Sequence, residues 1–293
     1  MIVVTTPTGK IGSQVVRNLL AAGEAVRVIA RDPARLAPDV KTKLEIVRGS
    51  SDDEGVVMRA LDGAESLFLV VPPSFTTNDD REHYLRFARP VCRAVKSHGL
   101  KRVVTISGVG RRIAVKAGPV TASFAKDAEI ESTGVDFQAL WCPGFMENAL
   151  RAIPSLKQHG VFSNSGRPDV RAPVVATRDI AASGVKLLLD RSWTGQGGVA
   201  VLGPEDLSFD DMAAIMTEVL GKPIRFQSLT SEDYKAQLVK FGASEPFAQG
   251  LVEMHAAKDD GLDLTEPRTA ENTTPTTFRQ WCEEVLKPAF SHS

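Results

Sequence analysis

The residues with the clearest chemical capacity stand near the start of the chain, in the turn Thr6-Pro7-Thr8-Gly9-Lys10-Ile11-Gly12. The turn follows an apolar run, Ile2, Val3 and Val4, and precedes Val15, Val16, Leu19 and Leu20 at helical spacing. A tight turn that opens a helix aims unpaired N–H groups and the positive helix end at an anion, and a pyrophosphate suits it. Gly9 lets the backbone approach phosphates, and Gly12 lets the helix pack closely on the strands. Two residues depart from the usual pattern. Thr6 stands where a G-x-x-G-x-x-G spacing needs glycine, and Pro7 supplies no N–H. An α/β domain whose altered turn has lost its nucleotide is therefore kept as an alternative.

The second chemical signal is Arg31, which follows the apolar run Val26, Val28 and Ile29. In a dinucleotide fold an acid at the end of the second strand suits the ribose 2′-OH of NAD, and an Arg suits the 2′-phosphate of NADP. Guanidinium matches phosphate bidentately. Arg35 lies one turn further on, and Lys10 adds a charge in the glycine turn. Asp32 competes, since its carboxylate is placed to reach a ribose hydroxyl. The balance of charge favours NADP(H), with NAD(H) second.

Five segments come in an order that resembles the NmrA-like branch of the atypical short-chain dehydrogenases. They are Thr8-Gly9-Lys10-Ile11-Gly12, Val28 to Arg35, Lys101 to Ser107, Pro143-Gly144-Phe145-Met146-Glu147-Asn148, and Thr177-Arg178-Asp179-Ile180-Ala181. The resemblance covers about the first two thirds of the chain, to the strand near Val201. It implies NAD(P)H-dependent reduction of quinones or azo dyes, or a redox-sensing regulator that acts through a protein partner. It also implies a Ser near the nicotinamide, which Ser107 matches, and places Phe145, Met146 and Asn148 near the substrate side. Thr6, Thr8, Gly9, Lys10, Ile11, Gly12, Arg31, Arg35, Val71, Pro72 and Ser107 make up the expected cofactor contacts.

Conventional short-chain dehydrogenases pair a Tyr with a Lys four residues on. Tyr84 is followed by Ala88 and Tyr234 by Leu238, so neither makes that pair. Lys126 lies on the helix where such a Lys would hold the nicotinamide ribose, although its flanks align poorly. The missing pair disfavours alcohol dehydrogenation, which needs a positioned base. Hydride delivery to an electron-poor acceptor, such as a quinone, enone, imine or azo compound, remains feasible because the cofactor carries the chemistry. Ser107, Lys126 and Tyr84 are the catalytic candidates, with Tyr234 and His83 behind them. His255 reads as an exposed or packed helix residue. Cys142 lacks an activating cation in the sequence.

Composition narrows the remaining classes. A net charge of -1 over 293 residues gives no electrostatic case for nucleic acid or an anionic membrane. No apolar run approaches the ~18 residues of a membrane-crossing helix. Met1 leads directly into the first strand, so no signal peptide is expected, and a cytoplasmic setting follows. Cys92, Cys142 and Cys282 are too widely spaced for a metal cluster and read as free thiols. The expected partner is a small-molecule substrate, and a homodimer is a base-rate expectation.

The elements that must position these residues follow from periodicity. Apolar strands are expected at Met1–Thr5, Val26–Ala30, Leu44–Val47, Leu67–Val71, Val103–Ile106 and Val135–Trp141, with helices between them. Pro173–Ala176 and Val199–Leu202 are expected to close the same sheet, and a helix is expected over Glu147–Gln158. Beyond them the pattern is mostly helical. Ser208 with Asp211 approaches a capping box, Ser231 is expected to cap the next helix, and Ser244-Glu245-Pro246 starts a third. The result is an α/β fold, a Rossmann-type doubly wound parallel sheet with a smaller, mostly helical C-terminal lobe. Residues 1–143 and 173–203 form the dinucleotide-binding domain, and 144–172 and 204–293 the substrate or lid lobe.

Overall fold

The protein is described here by a computed structural model, which covers residues 1–111, 113 and 116–292. The chain opens as β1 (Ile2–Thr5), α1 (Gly12–Ala21), β2 (Val26–Ala30), a short α2 (Pro38–Lys41) and β3 (Glu45–Arg48). It continues through α3 (Glu54–Leu61), β4 (Ser66–Leu69), α4 (Asp80–His98), β5 (Arg102–Gly108), α5 (Pro119–Glu131) and β6 (Asp136–Cys142). β7 (Gly144–Phe145) and a 3₁₀ segment, Met146–Ala152, lead to α6 (Ile153–His159), β8 (Val161–Asn164) and β9 (Ala172–Val175). α7 (Thr177–Leu189) and β10 (Gln196–Ala200) follow. The last part holds β11 (Asp206–Leu207), α8 (Phe209–Leu220), β12 (Arg225–Ser228), α9 (Ser231–Lys240) and α10 (Glu245–Asp259). It ends with α11 (Phe278–Trp281), a π-turn at Cys282–Leu286 and α12 (Lys287–His292).

The main sheet has the order β3-β2-β1-β4-β5-β6-β10, with every neighbouring pair parallel. β1 therefore has β2 on one side and β4 on the other, and the chain direction across the sheet reverses there. That switch point opens a crevice at the carboxyl ends of β1 and β4, where doubly wound folds bind ligands. Both faces are covered. Val15, Val16 and Leu19 of α1 pack with Ile180, Ala181 and Val185 of α7 on one face. Val56 and Leu61 of α3, Val91 and Val95 of α4 and Ile130 of α5 pack on the other. This accounts for the unbroken apolar runs of β1 and β4, all of whose residues are buried.

A third core lies outside the sheet. Met146, Leu156, Phe162, Met212, Met216, Phe226, Phe278 and Trp281 bury one another there. The capping box at Ser208 and Asp211 is formed, with Gly221 left-handed at the other end of α8. Three expectations need correction. The 172–175 strand does not join the main sheet. It pairs with β7 and β11 in a three-stranded sheet of its own. Only alternate residues of β9 are buried, so it covers a core on one face and suits a small outer sheet. The helix expected over 147–158 divides, because Pro154 lacks an N–H and fits only the first turn of α6. Thr230, not Ser231, caps α9, its hydroxyl accepting from Asp233 N at 3.1 Å. The last helix is interrupted by the π-turn at Cys282–Leu286.

Candidate functional site

The turn after β1 is built around a strained residue. Thr6 has φ 52°, the one left-handed non-glycine among the described residues. For a β-branched side chain that costs about 1–3 kcal/mol. Local bonds offset it. Thr6 Oγ1 donates to Val70 O at 2.7 Å, Thr5 Oγ1 donates to the same carbonyl at 3.1 Å, and Gly9 N donates to Thr6 O at 3.0 Å. The hydroxyls thus pin the end of β1 to the segment leaving β4, across the switch point. The carbonyl of Thr6 turns inward, so a Cβ on residue 12 would stand 2.3 Å from it, and only Gly12 fits.

Above this turn α1 starts without a side-chain cap and without an acid in its first turn. The N–H groups of Lys10, Ile11 and Gly12 donate to no other described residue. Three donors at an uncapped helix end form a seat for an anion. Pro7 is buried and supports the turn from below.

At the carboxyl ends of β2 and β3 stand Arg31, Arg35 and Arg48, all exposed. None of the three side chains bonds to another described residue. Register brings Arg48 to the cluster: it sits opposite Ala30, and Gly49 N donates to Ala30 O at 3.1 Å. The sequence reading missed Arg48, because only strand pairing brings the end of β3 level with the end of β2. Asp32 behaves differently. Its Oδ1 accepts from Ala34 N at 3.0 Å and caps the short turn Pro33–Arg35. Its carboxylate is thus engaged locally, and the open charge at this edge is positive. The residues present fit a dinucleotide that carries a 2′-phosphate.

The catalytic candidates gather where β5 ends. Ser107 is buried and shares a 3.0 Å hydrogen bond with Ser123 Oγ on α5. Lys126 is 0% exposed. Its ammonium donates to Thr105 Oγ1 at 2.5 Å and Ile106 O at 2.8 Å, and lies 2.9 Å from Asp127 Oδ1. Burial holds its pKa below the lysine range, while the Asp127 carboxylate opposes that. Asp127 is fully buried too, and its oxygens receive no aligned hydrogen bond among the described residues. Tyr84 lies within reach of this carboxylate and of Asp80. Burial first, and then those two charges, push the phenol up. The structure thus brings Ser107 and Lys126 to one end of β5, while Tyr84 stands on α4 with its ring against His83. His83 does something else: Nε2 meets Pro72 O at 2.8 Å, so a packed histidine holds the Val71-Pro72 segment.

Several named residues prove to be structural. Glu147 accepts from Thr177 N at 3.0 Å and Thr177 Oγ1 at 2.6 Å, so it caps α7 from a distant segment, and Trp281 Nε1 donates to it at 3.2 Å. Met146 is buried in the third core, and Phe145 packs against the sheet. The three thiols are buried and free; burial pushes Cys92 up to about 11 and Cys282 up to about 12, and raises Cys142 as well. Among the described residues no group of His, Cys, Asp or Glu is placed to hold a metal, and no helix is long and apolar enough to cross a membrane.

Beside the site, α4, α5 and α10 enclose a cleft of about 280 Å³ that holds Asp79, Asp80, Lys116 and Glu253. Burial, and then Asp79 and Glu253, push the Asp80 carboxyl up to about 6. An unfolded Asp titrates near about 3.9. The folded state therefore holds the proton more tightly, and stability falls as pH rises between those two values. Asp80→Asn is expected to raise Tm above pH 6 and to give no gain at pH 4, as thermal melts at the two pH values would show. An equal gain at both would refute the assignment.

Strand order, switch point and an anion-ready helix end define the class: a Rossmann-type α/β protein built as the dinucleotide binders are. Within that class the chain belongs to the NmrA-like family, whose profile matches residues 1–282. It is 28% identical to a (4-alkanoyl-5-oxo-2,5-dihydrofuran-3-yl)methyl phosphate reductase of Streptomyces griseus, over 97% of each chain. It is 26% identical to an NAD(P)H azoreductase of Xenophilus azovorans, over 87% of this chain and 86% of the relative. In fold it resembles an NADPH-dependent quinone oxidoreductase of Escherichia coli solved with NADPH, with TM-score 0.80, 22% identity, and 98% of this chain and 100% of that one covered.

Proposed function

We propose that the protein is an NADPH-dependent reductase that delivers hydride to a small conjugated acceptor: a quinone, enone, imine or azo compound. The observation that carries it is the group of unpaired guanidinium groups, Arg31, Arg35 and Arg48, at the β2–β3 edge beside an uncapped α1. A 2′-phosphate fits that group, and a pyrophosphate fits the N–H groups of the turn. The name of the NAD(P)H azoreductase relative supports reduction with such a cofactor, and that of the phosphate reductase supports reduction.

When bound, the nicotinamide supplies the hydride. The protein's own part is to hold and orient. Thr6, Thr8, Gly9 and Gly12 shape the turn, and Val71, Pro72 and Ser107 would hold the nicotinamide half. Tyr84 stays protonated across the neutral range, because burial and two carboxylates raise its pKa, and so it offers a hydrogen-bond donor rather than a strong acid. Lys126 acts from inside, fixing Thr105 and Ile106 and through them the end of β5. The segments 144–172 and 204–293 serve as the substrate lobe.

The test is NADPH oxidation by the purified protein, followed by absorbance across a panel of the four acceptor types. We expect turnover with at least one, and faster with NADPH than with NADH. Rates indistinguishable from buffer across the whole panel would end the proposal.

A further inference from the structure

The backbone at the start of α1 leaves the Lys10 carbonyl over. Ser13 N donates to Gly9 O at 3.0 Å and Gln14 N to Ile11 O at 3.0 Å, so among the described residues no backbone N–H reaches Lys10 O. The Gln14 side chain takes it instead, with Nε2 donating to Lys10 O at 2.5 Å. The same Nε2 donates at 3.2 Å to Oγ1 of Thr177, the first residue of α7. Thr177 lies 163 positions on, so the second contact is set by the packing of α1 against α7.

Both amide hydrogens are thereby used, and their order is fixed. A carbonyl only accepts, so the NH₂ side of the Gln14 amide must face Lys10 O. Thr177 Oγ1 gives its own proton to Glu147 Oε1 at 2.6 Å, so toward Gln14 it can only accept. Glu147 is held in turn by Thr177 N at 3.0 Å and Trp281 Nε1 at 3.2 Å. Thr177 is 4% exposed and Trp281 0%, whereas Gln14 is half-buried. A side chain partly in solvent is thus anchored from a buried end.

The group that Gln14 holds belongs to the anion seat. The Lys10–Ile11 peptide is trans and planar, so its C=O and N–H point in opposite directions. Holding Lys10 O against the Gln14 amide therefore turns Ile11 N–H away from that amide. Ile11 N–H is one of the three donors at the uncapped end of α1, and it donates to no described residue. Pro7 has already removed one possible donor from the turn, so the direction of the remaining ones counts for more.

We infer that Gln14 is a positioning residue for the cofactor pyrophosphate, with Thr177 and Glu147 as its anchor. Its own amide is fully engaged, so it acts through the peptide whose N–H would meet the phosphate. The inference rests on the dinucleotide reading of the turn, and its test needs no turnover.

The test is calorimetric titration of the full chain with NADPH, NADH and adenosine 2′-phosphate, which carries no pyrophosphate. Gln14→Met is expected to weaken NADPH and NADH alike by about fivefold, as loss of one neutral hydrogen bond predicts, and to leave adenosine 2′-phosphate within about twofold. Gln14→Glu should lose more, since a carboxylate cannot donate to Lys10 O and adds a charge of the wrong sign beside the seat. Thr177→Val should follow Gln14→Met, and Thr177→Ser, which keeps the hydroxyl, should hold wild-type affinity. A merely structural role would lower all three affinities together, with Tm. That pattern, or dinucleotide affinities unchanged in Gln14→Met, overturns the inference. Dinucleotide binding by the wild type without turnover on the acceptor panel sinks the reductase reading and leaves this one standing. No dinucleotide binding by the wild type overturns both.

Discussion

Lys126→Met is expected to lower the unfolding free energy by about 3–5 kcal/mol, because it leaves a buried carboxylate without its cation. Lys126 and Asp127 are both 0% exposed, and Lys126 also bonds Thr105 Oγ1 and Ile106 O. Methionine keeps the length of the side chain, so the loss measures charge and hydrogen bonds rather than volume. For a chain of this size Tm should fall by roughly 10 °C. The deficit should shrink in acid. A carboxylate buried without a cation costs more charged than neutral, so the folded variant loses stability as pH rises. Lys126→Met/Asp127→Leu should recover most of the loss, since an apolar pair of similar volume replaces a buried ion pair without penalty. Chemical denaturation of the three proteins at pH 5 and pH 8 checks each point. A single variant within about 1 kcal/mol of wild type would refute the account. The double variant also separates two roles. If stability and turnover both return, Lys126 supports β5; if stability returns alone, its ammonium reaches the nicotinamide end.

How much of this was legible in the sequence depends on how local the cause is. The run from β1 through α1 to β2 was readable because buried strands are apolar throughout and Gly12 is needed where Thr6 turns its carbonyl inward. Ser208 and Asp211 were readable because a capping box spans only four positions. Thr6 was read as a departure from the glycine pattern. Its tolerance comes from Val70, 64 residues away, whose carbonyl accepts the hydroxyl. Arg48 was out of reach because its role depends on standing opposite Ala30 in a parallel pair. The 172–175 strand was assigned to the wrong sheet because an apolar run gives strand character and not its neighbours. Glu147 was quoted as part of a motif, but its capping of α7 lies 30 residues on, beyond any local rule.

Arg31→Ala is expected to weaken NADPH binding about 10- to 100-fold and to leave NADH within about twofold, as loss of a charge-assisted phosphate contact predicts. Arg31 lies at the mouth of the β2–β3 edge with no protein partner, so its removal breaks no internal bond and the fold should be unaffected. Arg48→Ala should act in the same direction, because register sets it opposite Ala30, at the same carboxyl edge as Arg31. The two losses should not add, since both guanidinium groups face one dianion and each takes over part of the other's contact. Asp32→Ala provides the contrast. It removes the cap on the Pro33–Arg35 turn, so it should lower stability by about 1 kcal/mol and leave the NADPH preference in place. Salt should reduce the NADPH preference of the wild type, because these side chains are exposed and screened, and should leave that of Arg31→Ala/Arg48→Ala nearly flat. Fluorescence titration with both cofactors, at low and high salt, reads all of this. Equal losses for NADPH and NADH in Arg31→Ala would show that the residue shapes the turn rather than the choice of cofactor. A loss in Arg48→Ala alone would move the phosphate seat to β3, a residue no reading of the second strand could have supplied.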